Sequence, residues 1–275
     1  MKARLLTAAI GIPLFLVILI FFETPVFNGA LSLILGVAVY ELLQTAQYGK
    51  RKLITVVCVA FGALLPWFEL PLLKPYRVLL LFAFAAFLFA ALLRWHDTLR
   101  TEQVSQIFFV SVVYPIALTT LLYIRDDFGA SKALYYTVLI FLCAWMSDAG
   151  AYFAGRFFGK RKMAPNISPN KTVEGLIGGI LASLISVVLV TFGYSALMSY
   201  LGEPVSINYL SLTGASVLAT FVGVFGDLTA SIMKRQNGIK DYGSIMPGHG
   251  GVVDRFDSVF FVAPFFYVWL RFFVI

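Results

Sequence analysis

A polar run of 27 residues, SIMKRQNGIKDYGSIMPGHGGVVDRFD at positions 231–257, concentrates charge between two strongly apolar segments. Just before and within it, Asp227, Ser231 and Lys234 are spaced by four and then three residues, which places them on one face of a helix. An acid, a hydroxyl and a base that face one way suit a phosphate with a bound cation, since Mg2+ takes carboxylate and phosphate oxygens. The pattern predicts chemistry on a phosphate.

Two acids lie inside apolar sequence: Asp148 in WMSDAGAYFAGRFFG and Asp227 in FVGVFGDLTASIMKR. A carboxylate in the hydrocarbon region costs a few kcal/mol, so it normally faces a protein interior or a water-filled cavity. Asp254 and Asp257 follow three residues apart and could present further carboxylates. Structural ion pairs within the bundle, or solvated acids in the loop, are the alternatives. The small residues around the acids allow either close helix packing or room for a ligand.

The segment PGHGG at positions 247–251 places three glycines around one histidine. Glycines let backbone N–H groups approach a ligand closely, and such amide concavities hold phosphate oxygens. We therefore interpret Gly250 and Gly251 as part of a ligand loop. His249 could bond a phosphate or carry a proton, or it could simply order the loop.

A second polar loop, GKRKMAPNISPNKTVEG at positions 159–175, lacks the spacing of a P-loop. Basic loops of this kind commonly set topology or attract anionic lipid. The run from Ser168 to Thr172 differs, because it mixes a proline turn with hydroxyls and Lys171. We interpret it as a candidate contact for the nucleotide or for a lipid phosphate.

These residues must be positioned by membrane helices. The chain of 275 residues is 60% hydrophobic and only 13% charged, against roughly 25% charged residues in soluble domains. We predict an all-α polytopic membrane protein. Apolar windows of about 20 residues place nine spans at 5–22, 26–43, 53–68, 78–93, 107–124, 133–158, 176–194, 210–232 and 259–274.

The net charge of +7 reflects basic loops rather than a nucleic-acid partner, because lysines and arginines collect on the cytoplasmic side of membrane proteins. This bias predicts a cytoplasmic N-terminus and an outer C-terminus. Residues 1–132 then form a scaffold of about five spans and residues 133–275 a catalytic region of about four, with cytoplasmic loops at 159–175 and 233–257. Cys58 and Cys143 lie in separate apolar runs and are expected to be free packing residues.

The segment S-x-M-K-R-x4-K-D-x-G-x4-G-H-G-G-x2-D-R-x-D at 231–257 closely resembles the signature of phosphatidate cytidylyltransferases, or CDP-diacylglycerol synthases. The segments S-D-x-x-A-Y at 147–152 and S-P-x-K-T-x-E-G at 168–175 are similar to other blocks of that family. The resemblance covers roughly the C-terminal half. It implies transfer of a cytidylyl group from CTP to phosphatidic acid in the cell (inner) membrane, with the active site on the cytoplasmic side.

The resemblance also implies roles for individual residues. Asp227 and Asp254 would hold Mg2+ with help from Asp148, and a second cation, Mg2+ or K+, and a homodimer are left open. The expected catalytic residues are Asp148, Asp227, Asp254, Lys234 and Arg235. The expected substrate-binding residues are Ser168, Lys171, Thr172, Ser231, Lys240, Asp241, His249, Gly250, Gly251, Arg255 and Asp257.

Two other classes were weighed against this interpretation. A CDP-alcohol phosphotransferase would resemble D-G-x2-A-R-x8-G-x3-D-x3-D, a spacing that does not occur here. A transporter could use intramembrane acids to relay ions, but it is expected to show paired broken helices in related halves. The polar residues here gather instead near the end of the chain.

Overall fold

The computed structural model describes residues 2–45, 51–246, 248, 250–273 and 275, and this part of the chain is mostly helical. His249 and Val274, which were part of the predicted site and the predicted last span, lie outside the described residues. The α-helices are α1 Lys2–Ile20, α2 Pro25–Thr45, α3 Lys52–Leu64, α4 Arg77–Arg94, α5 Thr101–Phe108, α6 Tyr114–Phe128, α7 Ala130–Phe141, α8 Ser147–Phe158, α9 Val173–Tyr200, α10 Tyr209–Gln236, α11 Val253–Phe256 and α12 Val259–Phe272.

Short elements complete or join several of these helices. A 3-10 turn over Leu65–Glu69 follows α3, where Pro66 ends the regular helix, and another over Lys74–Tyr76 precedes α4. Two π-helical segments, Phe109–Val113 and Leu142–Met146, join α5 to α6 and α7 to α8. Asp148 therefore lies two residues after a π-helical segment, a feature that is frequent at functional sites.

Seven helical segments in the described part of the chain are long and apolar enough to cross a membrane: Pro25–Thr45, Lys52–Glu69, Lys74–Arg94, Thr101–Phe128, Ala130–Phe158, Val173–Tyr200 and Tyr209–Gln236. The first of the nine predicted spans corresponds to α1 and the last to α12. Ala9–Ile20 is an apolar stretch below span length, and α12 has 14 residues, against about 20 for a span.

The prediction of an all-α chain needs one correction. Residues 162–172 form an antiparallel pair of strands, β1 Lys162–Ala164 and β2 Ser168–Thr172. The segment that had been interpreted as a loop with a rigid turn at Ser168 is thus a small hairpin. It leads straight into α9 at Val173, three residues before the predicted start of that span.

The chain divides into two compact units, which are interleaved in sequence. The first unit contains the residues up to Leu122 together with Gln236–Phe256. In it α2 packs on α3, where Gly36 faces Ala63 and Gly62 faces Val39. The side-chain amide of Asn28 donates to the carbonyl of Pro66 at 2.8 Å, which satisfies a buried backbone acceptor near the end of this helical segment.

The second unit contains Tyr123–Arg235 and Asp257–Ile275. Its closest helix pair is α8 against α9. A Cβ atom on Gly150 would lie 2.7 Å from the carbonyl oxygen of Gly178, and one on Gly179 would lie 2.8 Å from that of Ser147. Small residues allow this approach, so the glycines after Asp148 serve helix packing, one of the two readings the sequence had left open. Cys143 is buried and unpaired in this unit, as Cys58 is in the first.

Candidate active site

The polar face predicted for α10 is present in the structure. Ser231 donates its hydroxyl to Oδ1 of Asp227 at 3.4 Å, one helical turn away. Lys234 lies one turn further on and is buried despite its charge. A lysine is almost never fully buried without a partner. The negatively charged groups in this part of the second unit, including Asp257, interact with the Lys234 ammonium group.

Lys171 joins the hairpin to this helix face. Its ammonium nitrogen lies 2.5 Å from Oδ2 of Asp227, with both side chains about three-quarters buried at 21% and 26% exposure. The nitrogen is enclosed, and its contact with the carboxylate is a charge pair rather than an aligned hydrogen bond. Strand β2 and helix α10 thus bring together two residues that the sequence had assigned to different motifs.

Asp257 adds a third motif residue to the same surroundings. Burial raises the pKa of its carboxyl, and the neighbouring carboxylates of Asp227 and Asp148 raise that pKa further. Lys234 and the backbone N–H of Ser258 act in the opposite direction, the latter through a 2.8 Å bond to Oδ1 of Asp257. The site therefore concentrates negative charge that its own cations do not fully offset.

Ser258 was not singled out from the sequence, yet it connects two of these acids. Besides its backbone bond to Asp257, its hydroxyl donates to Oδ2 of Asp148 at 3.2 Å. Gly226, next to Asp227, lies against the carbonyl of Asp257, where a Cβ atom would come within 2.7 Å. Neither the residue type of Ser258 nor its spacing from the other polar residues indicated a role in the site.

The donor set fits a magnesium ion that is completed by substrate. Among the described residues, no three His, Cys, Asp or Glu side chains are grouped so that they alone could hold a metal. Mg2+ commonly takes only one or two carboxylates and fills its other positions with phosphate oxygens and water. Asp227 and Asp148 lie in a site with an excess of negative charge and could supply these one or two carboxylate ligands.

The residues around the hairpin hold it against the start of α9. Thr172 is the N-cap of α9, and its buried hydroxyl oxygen accepts the N–H of Gly175 at 3.0 Å. The carboxylate of Glu174 accepts the backbone N–H groups of Lys160 and Arg161 at 3.0 and 3.1 Å. Both side chains therefore organise the segment that presents Lys171.

The remaining part of the motif belongs to the first unit, where residues 241–246, 248 and 250–252 form what we call the glycine loop. Asp254 folds this loop, because its Oδ2 accepts the backbone N–H groups of Tyr242 at 2.8 Å and Gly251 at 2.9 Å. Gly250 has φ of +86°, a backbone conformation that favours glycine. Asp254, predicted as a metal ligand, thus uses one carboxylate oxygen to shape the loop.

A residue that the sequence did not flag, Glu41 of α2, holds the same loop. It is 3% exposed, and its two carboxylate oxygens accept the N–H groups of Val252 and Val253, each at 3.0 Å. An acid in the predicted second span was a usable signal, but it lay close to the span's end and far from every motif.

The other predicted residues are distributed as follows. Arg235 is exposed at the end of α10, and Lys240, Asp241 and Arg255 are exposed in the first unit. Ser168 is half-buried on β2. Their substrate contacts remain predictions.

Chemically, the second unit presents two ammonium groups, a serine hydroxyl and three carboxylates, carried by β2, α8, α10 and Asp257, two residues before α12. Such a set can stabilise anionic phosphates and a divalent cation together. This set is suited to neutralising charge on phosphates and to positioning them.

Comparison with known proteins agrees with this chemistry. The chain is 34% identical over 285 aligned positions to the phosphatidate cytidylyltransferase of Bacillus subtilis, covering 99% of this chain and 98% of the relative. It is 32% identical to that of Thermotoga maritima, covering 98% and 95%. The enzyme of the same name from Staphylococcus haemolyticus is 43% identical over 134 positions, covering 49% and 48%. A model of the cytidylyltransferase family matches residues 2–273, and the chain belongs to that family.

Proposed function

We propose that this protein transfers the cytidylyl group of CTP to phosphatidic acid, forming CDP-diacylglycerol and pyrophosphate. The observation that carries the proposal is the meeting of three separate motifs in the second unit. Asp148 comes from the first, Lys171 from the second, and Asp227, Lys234 and Asp257 from the region of the third. The full-length relatives that bear the name phosphatidate cytidylyltransferase support the same reaction.

In this reaction an anionic phosphate oxygen of phosphatidic acid forms a bond to the α-phosphorus of CTP. The bond between the α-phosphorus and the oxygen leading to the β-phosphorus breaks, and its electron pair leaves with pyrophosphate. The nucleophile is already ionised, so no strong general base is needed. The protein must instead hold two anions together and stabilise the charge that develops on the leaving group.

Lys171 and Lys234 are proposed to contact the phosphates. Both side chains are largely buried, and both lie beside carboxylates that would bind the cation. Ser231, on the same face of α10, would orient a phosphate or a water molecule. Arg235, Lys240 and Arg255 are proposed to attract and position the triphosphate. Ser168, Thr172, Asp241, His249, Gly250 and Gly251 stay proposed substrate contacts on the basis of the motifs in which they occur.

Mg2+ is the proposed cofactor, and a second cation, Mg2+ or K+, is left open. Asp227 and Asp148 would hold it, and Asp254 is retained as a further ligand on the strength of the motif. When bound, the ion would neutralise phosphate charge and polarise the α-phosphorus. Asp257 would then remain a neighbouring carboxylate that tunes the charge of the site.

In the membrane, we propose nine spans with a cytoplasmic N-terminus, an outer C-terminus and an active site on the cytoplasmic side. The distribution of lysine and arginine supports this orientation. The division into a scaffold at 1–132 and a catalytic region at 133–275 is part of the same proposal. Either a monomer or a homodimer is compatible with it.

The reaction is tested by pyrophosphate release from purified protein in detergent. Release should require CTP, phosphatidic acid and Mg2+ together, and a labelled cytidylyl group should appear in the lipid. Asp227→Asn should lose this activity by about 100-fold or more, because it removes charge from a preorganised site. Folded wild-type protein that releases no pyrophosphate under these conditions would contradict the proposal.

A further inference from the structure

Glu41 is a buried acid that the proposed reaction does not use. It lies in α2 of the first unit, 3% exposed, and the nearest hydrogen-bond partner of its carboxylate is 211 residues away in sequence. Burial of a carboxylate is costly unless it is fully hydrogen-bonded. Here both oxygens are bonded, one to the N–H of Val252 and one to that of Val253.

The glycine loop is built to admit this carboxylate. A methyl group on Gly243 would overlap Oε1 of Glu41, and one on Gly251 would overlap both oxygens. Neither glycine has a positive φ among the described backbone angles. The absence of a side chain at these two positions is therefore explained by space for Glu41 rather than by backbone conformation.

The loop is fixed from a second direction by Asp254, whose Oδ2 accepts the N–H groups of Tyr242 and Gly251. Glu41 and Asp254 thus bind the three consecutive backbone amides of the segment 251–253, and Asp254 also binds the amide of Tyr242. These bonds hold the backbone of the glycine loop from Gly251 to Val253.

We propose that Glu41 is a positioning residue, which preorganises the glycine loop for the nucleotide without touching it. The inference rests on the proposed function, because it assigns the loop to CTP. Preorganisation removes the cost of ordering a loop when the ligand binds. Loss of Glu41 should therefore weaken the use of CTP and leave the use of phosphatidic acid almost unchanged.

Glu41→Gln is the first test, because it keeps the size of the side chain but places an amide donor against a backbone donor. We expect KM for CTP to rise about tenfold, the effect of losing one hydrogen bond to a charged group, while KM for phosphatidic acid changes less than about twofold. Amide hydrogen exchange at Val252 and Val253 should accelerate about tenfold in the same variant.

Glu69→Gln is the matched control, since Glu69 is also a buried glutamate of the first unit and accepts two bonds at 3.0 Å from Arg77. It should lower thermal stability without changing either KM. An equal rise of both KM values in Glu41→Gln, an unchanged KM for CTP, or a similar CTP effect in Glu69→Gln would overturn the positioning role.

Two further measurements keep the inference testable on its own. If Glu41→Gln does not fold, Gly243→Ala provides the test, because its added methyl group displaces the same carboxylate. A selective rise in KM for CTP in this variant supports the proposal, and a normal KM for CTP overturns it. Amide exchange needs no turnover. If the wild type has no activity, the proposed function fails, whereas unaltered exchange at Val252 and Val253 in Glu41→Gln refutes the role of Glu41.

Discussion

The ammonium group of Lys171 lies 2.5 Å from Oδ2 of Asp227, and this ion pair ties the hairpin to α10. The two residues are 56 positions apart and belong to different motifs, so the contact is the most direct structural link between them. It also means that a substrate phosphate approaching Lys171 meets a cation already oriented by the protein.

We expect Lys171→Met to lower kcat/KM at least about tenfold, because it leaves the partly buried Asp227 without its charge partner. Lys171→Arg should keep more activity, since the charge is retained. Lys162→Met, which removes an exposed lysine from the neighbouring strand β1, is the control and should stay within about twofold of wild type. Pyrophosphate release measures all three variants. Wild-type activity in Lys171→Met would remove Lys171 from the site.

Asp257→Asn should raise the apparent melting temperature while it lowers activity. The raised pKa of Asp257 means that the folded protein disfavours its ionised form. The neutral carboxyl therefore stabilises the fold at low pH, and this stability is lost as the pH rises through the raised pKa. Asparagine stays neutral and keeps an oxygen for the N–H of Ser258. The gain in melting temperature should thus grow with pH, by a few degrees per kcal/mol for a chain of this size. A variant that melts lower than wild type at every pH would contradict this account.

Gly178→Ala should destabilise the second unit by about 1 to 3 kcal/mol. Its methyl group would overlap Ala154 and approach the carbonyl of Gly150 at 3.1 Å, which forces α8 and α9 apart. Gly193→Ala is the matched control on the same helix, because nothing lies within 4 Å of its added methyl group, and alanine favours a helix over glycine by about 1 kcal/mol. Thermal unfolding in detergent distinguishes them; equal effects would argue against tight α8–α9 packing.

Mg2+ should raise the melting temperature of the wild-type protein, because it relieves the excess of negative charge around Asp227, Asp148 and Asp257. The same concentration of Mg2+ should stabilise Asp227→Asn much less. Melting temperatures measured with Ca2+, and with NaCl at matched ionic strength, distinguish binding at a specific site from general screening of charge. Stabilisation of equal size in wild type and Asp227→Asn would place the cation elsewhere.

Local spacing predicted part of this site correctly. The helical face of Asp227, Ser231 and Lys234 follows from 3.6 residues per turn, and in the structure Ser231 donates to Asp227 along this face. The hairpin at 162–172 was missed because its strands are short and carry Pro169 and little alternation of apolar residues.

Glu41 shows what spacing does not reveal. Its partners are backbone amides, which every residue type except proline carries and which therefore leave no signal in the sequence. They lie 211 and 212 positions away. Asp254 illustrates the same difficulty from the other direction, since its position in the motif predicts a ligand but not the two amide bonds that one of its oxygens makes.

The distance in sequence between Glu41 and Val252 has a consequence for synthesis. At roughly 5 to 20 residues per second, the ribosome needs about 10 to 40 s to make the intervening chain. During that interval α2 emerges with a carboxylate whose eventual donors do not yet exist, and an unpaired charge in lipid is costly. The carboxylate of Glu41 can therefore make these bonds only after residues 252 and 253 have been made, so the packing of α2 around Glu41 is completed late in synthesis.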